Sequence, residues 1–504
     1  MSLFRIKSLQ KIAMLGFAFF AVIQVTYAQE LLTLDRALQY SETESPIIIQ
    51  SKLNIERVQK NLEAQRAALK SRFSLEANPL SFNRNRSFDD VRSTWYTSEN
   101  LSSNTNLRIS QPILFTDGTI SLNNEFGWQK SKSSATNAIP QNERFYNNLY
   151  LNLNQPLFTY NRLKMQLKQL ELNYENAKIS YALQRLNMER NVTQQFYNVF
   201  MLQENLSIAK AELENTQVNY ELIKNKADAG LVAMEELYQA ELNLMQSQST
   251  VEERTVSYEN AKDQLKLLLG MDIYSDFVIL NIDISTQESV SVNLEQAIEN
   301  GLKNRMELRQ REIDIENSQF AMIQTKAQNE FSGDLNLRLG ITGDDTNLAQ
   351  IYKKENTVNN PSVSISFNLP IFDWGEKKAR IAAQEAAIES VQIDYEEEQK
   401  DIILSIREVY RSIQSQWNQI QIAKQKQNNA QLTYEINNER YLNGDLTGMD
   451  LNLQQQQLSN ARISYTQAQI NYKIALLNLK IQSLYDFEMN LPVLPDELYL
   501  STEN

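Results

Sequence analysis

Carboxylates are the groups this chain could most readily use for chemistry. It carries 62 Asp and Glu residues against 49 Lys and Arg, with no Cys and no His among its 504 residues. That absence removes Cys and His nucleophiles, His general bases, thiolate metal sites and disulfides together. What remains is chemistry by paired carboxylates. No Asp or Glu pair stands in a Gly-rich or pocket-like stretch, so we expect no catalytic, cofactor-binding or metal site. The net charge of −13 argues against a nucleic-acid backbone as partner.

The elements that carry these acids come twice. Leu34, Ala37, Ile55 and Ala67 recur as Leu294, Ala297, Ile315 and Ala327, a shift of 260. Gln155-Pro-Leu-Phe158 recurs as Leu369-Pro-Ile-Phe372, a shift of 214, as do Gln217, Tyr220, Glu221, Gly230 and Tyr258. A constant shift over more than 100 residues predicts helices of equal length in the two copies. The difference of 46 places an insertion in copy one between about Arg72 and Gln155. The period is far too long for a solenoid repeat.

The N-terminus reads as a secretory signal peptide. Arg5, Lys7 and Lys11 precede an apolar stretch from Ile12 to Val25, then Thr26-Tyr27-Ala28. Those 14 residues are too few to span a hydrocarbon core of ~30 Å. Cleavage after Ala28 leaves a mature charge of −16, with no Cys nearby to take an acyl anchor. No later stretch approaches 18 continuous apolar residues, so no transmembrane helix is expected. The expected organisation is a signal peptide at 1–28 and a first repeat at 29–285, with strands about 73–158 and a tip near 230. A second repeat follows at 286–490, with strands about 331–371 and a tip near 444, and then a tail at 491–504.

Thr159 to about Lys226 holds neither Pro nor Gly. Leu163, Leu167, Leu170, Tyr174, Ala177 and Tyr181 form a heptad seam that resumes at Leu206, Ala209 and Leu213. Ile402, Ile406, Val409, Ile413, Trp417 and Ile420 do the same in copy two. Such a helix of about 66 residues is ~100 Å long. It turns at Asp228-Ala-Gly230 into a returning helix of ~58 Å, and an earlier helix from Pro46 adds ~40 Å. Stacked end to end, the two shorter helices match the long one, which predicts a rod two helices wide.

Short stretches between the helices alternate strictly. Val363, Ile365, Phe367 and Leu369 interleave with Ser364, Ser366 and Asn368. Leu335, Leu337, Leu339 and Ile341 alternate with polar residues or Gly, as do Leu149, Leu151 and Leu153, with a weaker partner around Phe73 to Phe82. Each approaches the ~9–11 residues of a tilted bilayer-crossing strand. The pattern equally fits a soluble antiparallel sheet with one face on a core. The signal peptide and the lack of a globular core favour a membrane barrel. One copy has too few strands to close a lumen, so the barrel is expected to be shared in a cyclic homo-oligomer. The insertion holds a further hairpin, with arms Leu107–Ile113 and Ile120–Trp128 about the turn Thr116-Asp117-Gly118-Thr119. It either adds barrel strands or stands as an extracellular flap.

Across the mature chain these residues resemble the TolC family of outer-membrane efflux proteins. The resemblance is carried by the duplication, by the joints at 155–158 and 369–372, by Asn304-Arg305-Met-Glu-Leu308, and by Ala229-Gly230-Leu231-Val232-Ala233. It implies a mainly α chain with a transmembrane β-barrel. The expected assembly is a homotrimer with a 12-stranded barrel, four strands per chain with or without the extra hairpin, above a helical tunnel. The barrel would sit in outer-membrane lipid of a Gram-negative bacterium, with the helices in the periplasm. Conduction would be passive, opened by a periplasmic adaptor (membrane fusion) protein and an inner-membrane pump of RND, ABC or MFS type, with no cofactor and no enzyme activity. The resemblance puts adaptor-docking tips at Gly230, Leu231, Gly444 and Asp445. It puts a periplasmic aperture at Asp450, Tyr441 and Glu236, with Glu236 as the acidic partner of Tyr441. Leu453 and Leu446 stand where the family has a second acid and a latch arginine. Acids gathered round an axis repel one another and attract cations. Asp450 also fits a plain helix N-terminal charge, Tyr441 a seam residue, and the two glycines ordinary turns. A non-conducting periplasmic or surface coiled-coil scaffold is the alternative function.

Overall fold

The computed structural model describes residues 30–134, 141–280, 288–443 and 445–493. The expected signal peptide, Gly444 and most of the tail lie outside the described residues. The chain opens with β1 (Glu30–Leu32), α1 (Leu34–Glu44) and α2 (Pro46–Ala68). Thr33 caps α1, its Oγ1 accepting the Arg36 N–H at 3.3 Å. Pro46 opens α2 at the position where a missing N–H costs nothing. Four strands follow, β2 (Arg72–Asp89), β3 (Thr94–Ile113), β4 (Gly118–Ser133) and β5 (Gln141–Leu157). Next come α3 (Arg162–Asp228), α4 (Met234–Leu269) and β6 (Phe277–Ile279). The second copy supplies α5 (Leu294–Asn304), α6 (Met306–Ala327), β7 (Ser332–Asp345), β8 (Thr357–Asn359), β9 (Ser362–Asn368), α7 (Glu376–Leu442) and α8 (Gly448–Ser483).

The helices obey the sequence shifts, all to the residue except that α2 is 23 residues long and α6 is 22. The long helices α3 and α7 are both 67 residues, and the returning helices α4 and α8 are both 36. Each pair starts and ends 214 apart. The 11-residue helices α1 and α5 start and end 260 apart.

The chain divides into two compact units. One comprises Asn54–Ile179 and Met306–Glu398 and holds the large sheet. Its strands run in the order β2-β3-β4-β5-β7-β8, with β9 also on β7, and every neighbouring pair is antiparallel. The four expected strands are present as β2, β5, β7 and β9. The inserted hairpin adds β3 and β4 between β2 and β5, inside the same sheet.

The other unit holds the remaining described residues, including the buried centre of α3. There β1 pairs in parallel with β6, and Leu32, Phe196, Leu265, Phe277 and Tyr472 are buried. Tyr472 stacks obliquely on Trp417 at 5.5 Å and its hydroxyl accepts the Val290 N–H at 3.0 Å. Ile402, Ile406, Ile413 and Ile420 are all buried, as the copy-two seam predicts. Copy one departs from its expected seam. Between Tyr181 and Leu206, α3 buries Met188, Val192, Phe196 and Val199 at spacings of four, four and three, and with them Phe200 and Met201 off that stripe. Three consecutive buried residues cannot lie on one stripe, so α3 is enclosed on several sides here, and periodicity cannot reveal that.

Candidate channel surfaces and tips

Because directly opposed residues in an antiparallel ladder share a face, the register sorts the sheet into two surfaces. Phe73, Ile109, Leu122, Leu151, Leu339 and their neighbours share one face through successive pairs. On β9, Val363, Ile365 and Phe367 lie on the same face, opposite Leu337, Leu335 and Gly333. This face is uncovered, with Phe73 68%, Leu75 69% and Val363 65% exposed. A soluble sheet would bury it on a core. Toward the outer end the apolar residues give way to Phe126, Trp128 and Phe145, and then to the pairs Lys130–Glu143 (3.3 Å) and Arg84–Glu99 (3.4 Å). At the helix end Phe158, Phe331 and Phe367 cluster, with ring centroids 5.2 Å to 6.5 Å apart. Two aromatic zones bounding an apolar band are the outer surface of a membrane barrel.

The opposite face is polar throughout. It presents Ser74, Asn104, Arg108, Asn123, Glu125, Asn152, Arg338 and Ser364, cross-linked by hydrogen bonds. Arg108 Nε donates to Asn123 Oδ1 at 2.7 Å, Asn104 Nδ2 to Glu125 Oε1 at 3.0 Å, and Tyr146 Oη to the same oxygen at 3.2 Å. Such a surface is stable against water and costly against lipid.

The hairpin turn at Asp117 lies at the helix end of the sheet. Asp117 has φ of 62°, and its side chain is 4% exposed. One carboxylate oxygen pairs with Arg162 Nε at 2.8 Å, and the other accepts the Leu163 N–H at 3.1 Å, satisfying a free donor of the first turn of α3. Asp-Gly signalled a turn in the sequence. Its role as anchor for a helix 45 residues on carried no local signal.

The tips repeat each other. Leu231 donates its N–H to the Lys226 carbonyl at 2.8 Å, and Asp445 donates to Arg440 at 2.9 Å, the same closure 214 residues later. Gly230 adopts φ of +68° with open space around it, and Leu231 is exposed. The closure is a left-handed helix end. Tyr441 is half-buried, and its hydroxyl donates to Asn219 Oδ1 at 2.7 Å. Glu236 is thus not the acceptor. It lies close enough that burial first, and its charge second, push the Tyr441 phenol above its ordinary range. Asn219 was not singled out from the sequence, and nothing local marks it. Asp450 sits in the first turn of α8, where Thr447 Oγ1 accepts its N–H at 3.2 Å and donates to Asp450 Oδ2 at 2.7 Å. That reciprocal cap gives the carboxylate a local role at the helix start.

The sequence model for the family described as outer membrane efflux protein matches residues 119–271 and 327–481. The chain belongs to that family. The two matched stretches fall one in each copy. Outer membrane protein TolC of Escherichia coli (strain K12) is 22% identical over 320 residues, 61% of this chain and 64% of that protein. TolC of Salmonella enteritidis is 24% identical over 325 residues, with the same shares. The match therefore spans about 64% of the length of these relatives. Among solved structures, the Campylobacter jejuni CmeC outer membrane channel shares the fold at a TM-score of 0.68 and 16% identity, over 93% of this chain and 88% of that one. The open state of the Neisseria gonorrhoeae MtrE outer membrane channel gives 0.62 and 15%, over 89% and 88%. The family's fold is a β-barrel on a helical tunnel, and the chain is an outer-membrane protein like its Gram-negative relatives. No described helix is long and apolar enough to cross a membrane.

Proposed function

We propose that the chain is one subunit of a cyclic homotrimer that serves as the outer-membrane duct of a tripartite efflux or secretion system. The observation that carries this reading is the two-faced sheet, apolar and uncovered on one side and hydrogen-bonded and polar on the other, with open edges at β2 and β9. Among the described residues those edges are unpaired, and in lipid only a closed ring satisfies them. Substrate would pass without chemistry along the polar face and between the long helices. The tips at Gly230, Leu231, Gly444 and Asp445 would receive the helical hairpins of a periplasmic adaptor, which is in turn bound to an inner-membrane pump of RND, ABC or MFS type. The favourable contacts made there would offset the cost of splaying α7 and α8. Asp450, Tyr441 and Glu236 would line the resting aperture. The hydrogen bond from Tyr441 to Asn219 ties α7 to α3 within one subunit at this level, and with Leu446 at the arginine position the family's arginine latch is absent.

The test is genetic. Deleting the gene is expected to sensitise the cell to toxic compounds or to block secretion of a protein. An unchanged phenotype in every pump background would count against the reading.

A further inference from the structure

We propose that β2 of one copy pairs with β9 of the next through residues 72–78 and 362–368, so that a trimer closes on eighteen strands where the family resemblance implies twelve. This rests on the trimeric duct proposed above and fixes its wall.

The hairpin β3–β4 is part of that wall and not a flap beyond it. It pairs along nearly its whole length with β2 and β5. It continues the same apolar and polar faces. Its turn lies at the helix end, held to Arg162 and Leu163 by Asp117. A flap on the outer rim could not place its turn there.

Each chain then offers six strands of alternating direction, five of them 14 to 20 residues long and β9 seven. β2 leaves the helix end and β9 returns to it, so the edges of adjacent copies meet antiparallel, as an even-stranded barrel requires. Among the described residues β2 pairs only with β3, and β9 only with β7.

The sheet also dictates the register. Following directly opposed residues, Arg72 lies level with Ser110, Ser121, Asn152, Arg338 and Ser362. The helix-side ends fall past that line in uneven steps, by three residues on β3 and β4, five on β5 and six on β7 and β9. Ile113 is three residues beyond Ser110, Leu157 five beyond Asn152, and Asn368 six beyond Ser362. A flush rim therefore steps by about one residue per strand. With a rise of about 3.4 Å and a strand spacing of about 4.8 Å, that is a tilt of roughly 35°, within the range of membrane barrels. One turn of this staircase sets Arg72 of the next copy opposite Asn368.

The pairs that result are complementary. Phe73 meets Phe367, Leu75 meets Ile365 and Ala77 meets Val363 on the lipid face. Ser74 meets Ser366, Glu76 meets Ser364 and Asn78 meets Ser362 on the lumen face. Pro79 and Pro361, which lack a ladder donor, fall just beyond the last pair, where β2 also carries a bulge between Asn78 and Ser81. Eighteen strands give a barrel about half as wide again as twelve.

The chain has no native Cys, so introduced pairs report alone. S74C combined with S366C, oxidised in outer membranes, is expected to give covalent dimers and trimers on a non-reducing gel. S74C combined with S362C, four residues out of register, is expected to stay unlinked. Electron cryomicroscopy of the unmodified particle in detergent is expected to show eighteen strands. A trimer with twelve wall strands and no in-register link overturns this inference and leaves the duct standing. A ladder that stops at two, from a two-fold particle, overturns both the strand count and the trimer. A monomer in detergent removes the duct itself.

Discussion

The two copies agree in their helices and disagree in their strands. The helix pairs match in length and spacing to the residue across 214 positions. The strand regions differ by a whole hairpin, with β2 to β5 in copy one and chiefly β7 and β9 in copy two. Packing explains the contrast. A residue added to a long coiled helix turns everything beyond it by about 100° and takes the seam off its partner. A hairpin added to an antiparallel sheet leaves its neighbours' faces unchanged, because it enters and leaves at the same end.

The largest effect expected is therefore a one-residue insertion between Gln414 and Ser415. It separates Ile402 and Ile406 from Ile420 on the seam. We expect the heat-resistant oligomer in outer membranes to fall by more than tenfold, whereas the same insertion between Asp90 and Val91 leaves it unchanged. Equal loss at both places would break the contrast.

The helix ends sharpen the comparison. Gly270 closes α4 with φ of 77°, and 214 residues later Leu484 closes α8 with φ of 49°. Glycine is required in copy one because an added Cβ would run into the Glu44 carbonyl. G270A is expected to cost about 3 kcal/mol in denaturant unfolding, from left-handed strain plus overpacking. G230A, in open space, is expected to cost about 1 kcal/mol.

D117A removes the acceptor for the Leu163 N–H and the partner of Arg162. It is expected to cost about 2 kcal/mol by the same measurement. Copy two satisfies the equivalent donor from nearby: Asp373, within its own turn, accepts the N–H of Lys377, 214 residues on from Leu163, and that of Gly375.

How much could be read beforehand follows from the same physics. The absence of Pro and Gly from 159–226, and the Ile402–Ile420 seam, located the helices within a few residues. Alternation at 149–153, 335–341 and 363–369 gave the faces of the sheet. It could not say which strand lies beside which, since a face pattern is indifferent to its neighbour. The hairpin's place in the wall therefore needed the Asp117 contacts and the ladders. Met188, Val192, Phe196 and Val199 keep helical spacing, but the burial of Phe200 and Met201 beside them has no periodic signal, because a helix covered on several sides buries residues off its stripe. At the tips, the turn closures at Leu231 and Asp445 were legible from the repeat, while the bond from Tyr441 to Asn219 joins residues 222 apart.

Two smaller effects probe the helical half. Y441F is expected to cost about 1 kcal/mol through the lost bond to Asn219. Because the folded phenol is raised, this tyrosine's contribution is complete below its ordinary range and is lost as pH rises through the raised value. An alkaline loss of stability present in the parent and absent in Y441F checks the sign. Burial likewise raises the Glu212 carboxyl. Its folded form favours the proton, so E212Q is expected to unfold at a slightly higher temperature at neutral pH, with the gap closing as the solution is acidified.

The position of the Asp117 turn has a consequence for how such pores diversify. Extra sequence in an outward loop can thread back through the bilayer and return without displacing either flanking strand, provided the new inner bend finds an anchor. Here a single acid at the foot of a helix provides it. Threefold symmetry would then multiply each inserted hairpin into six staves. The calibre of the pore would grow in discrete jumps, while the helices beneath keep their dimensions.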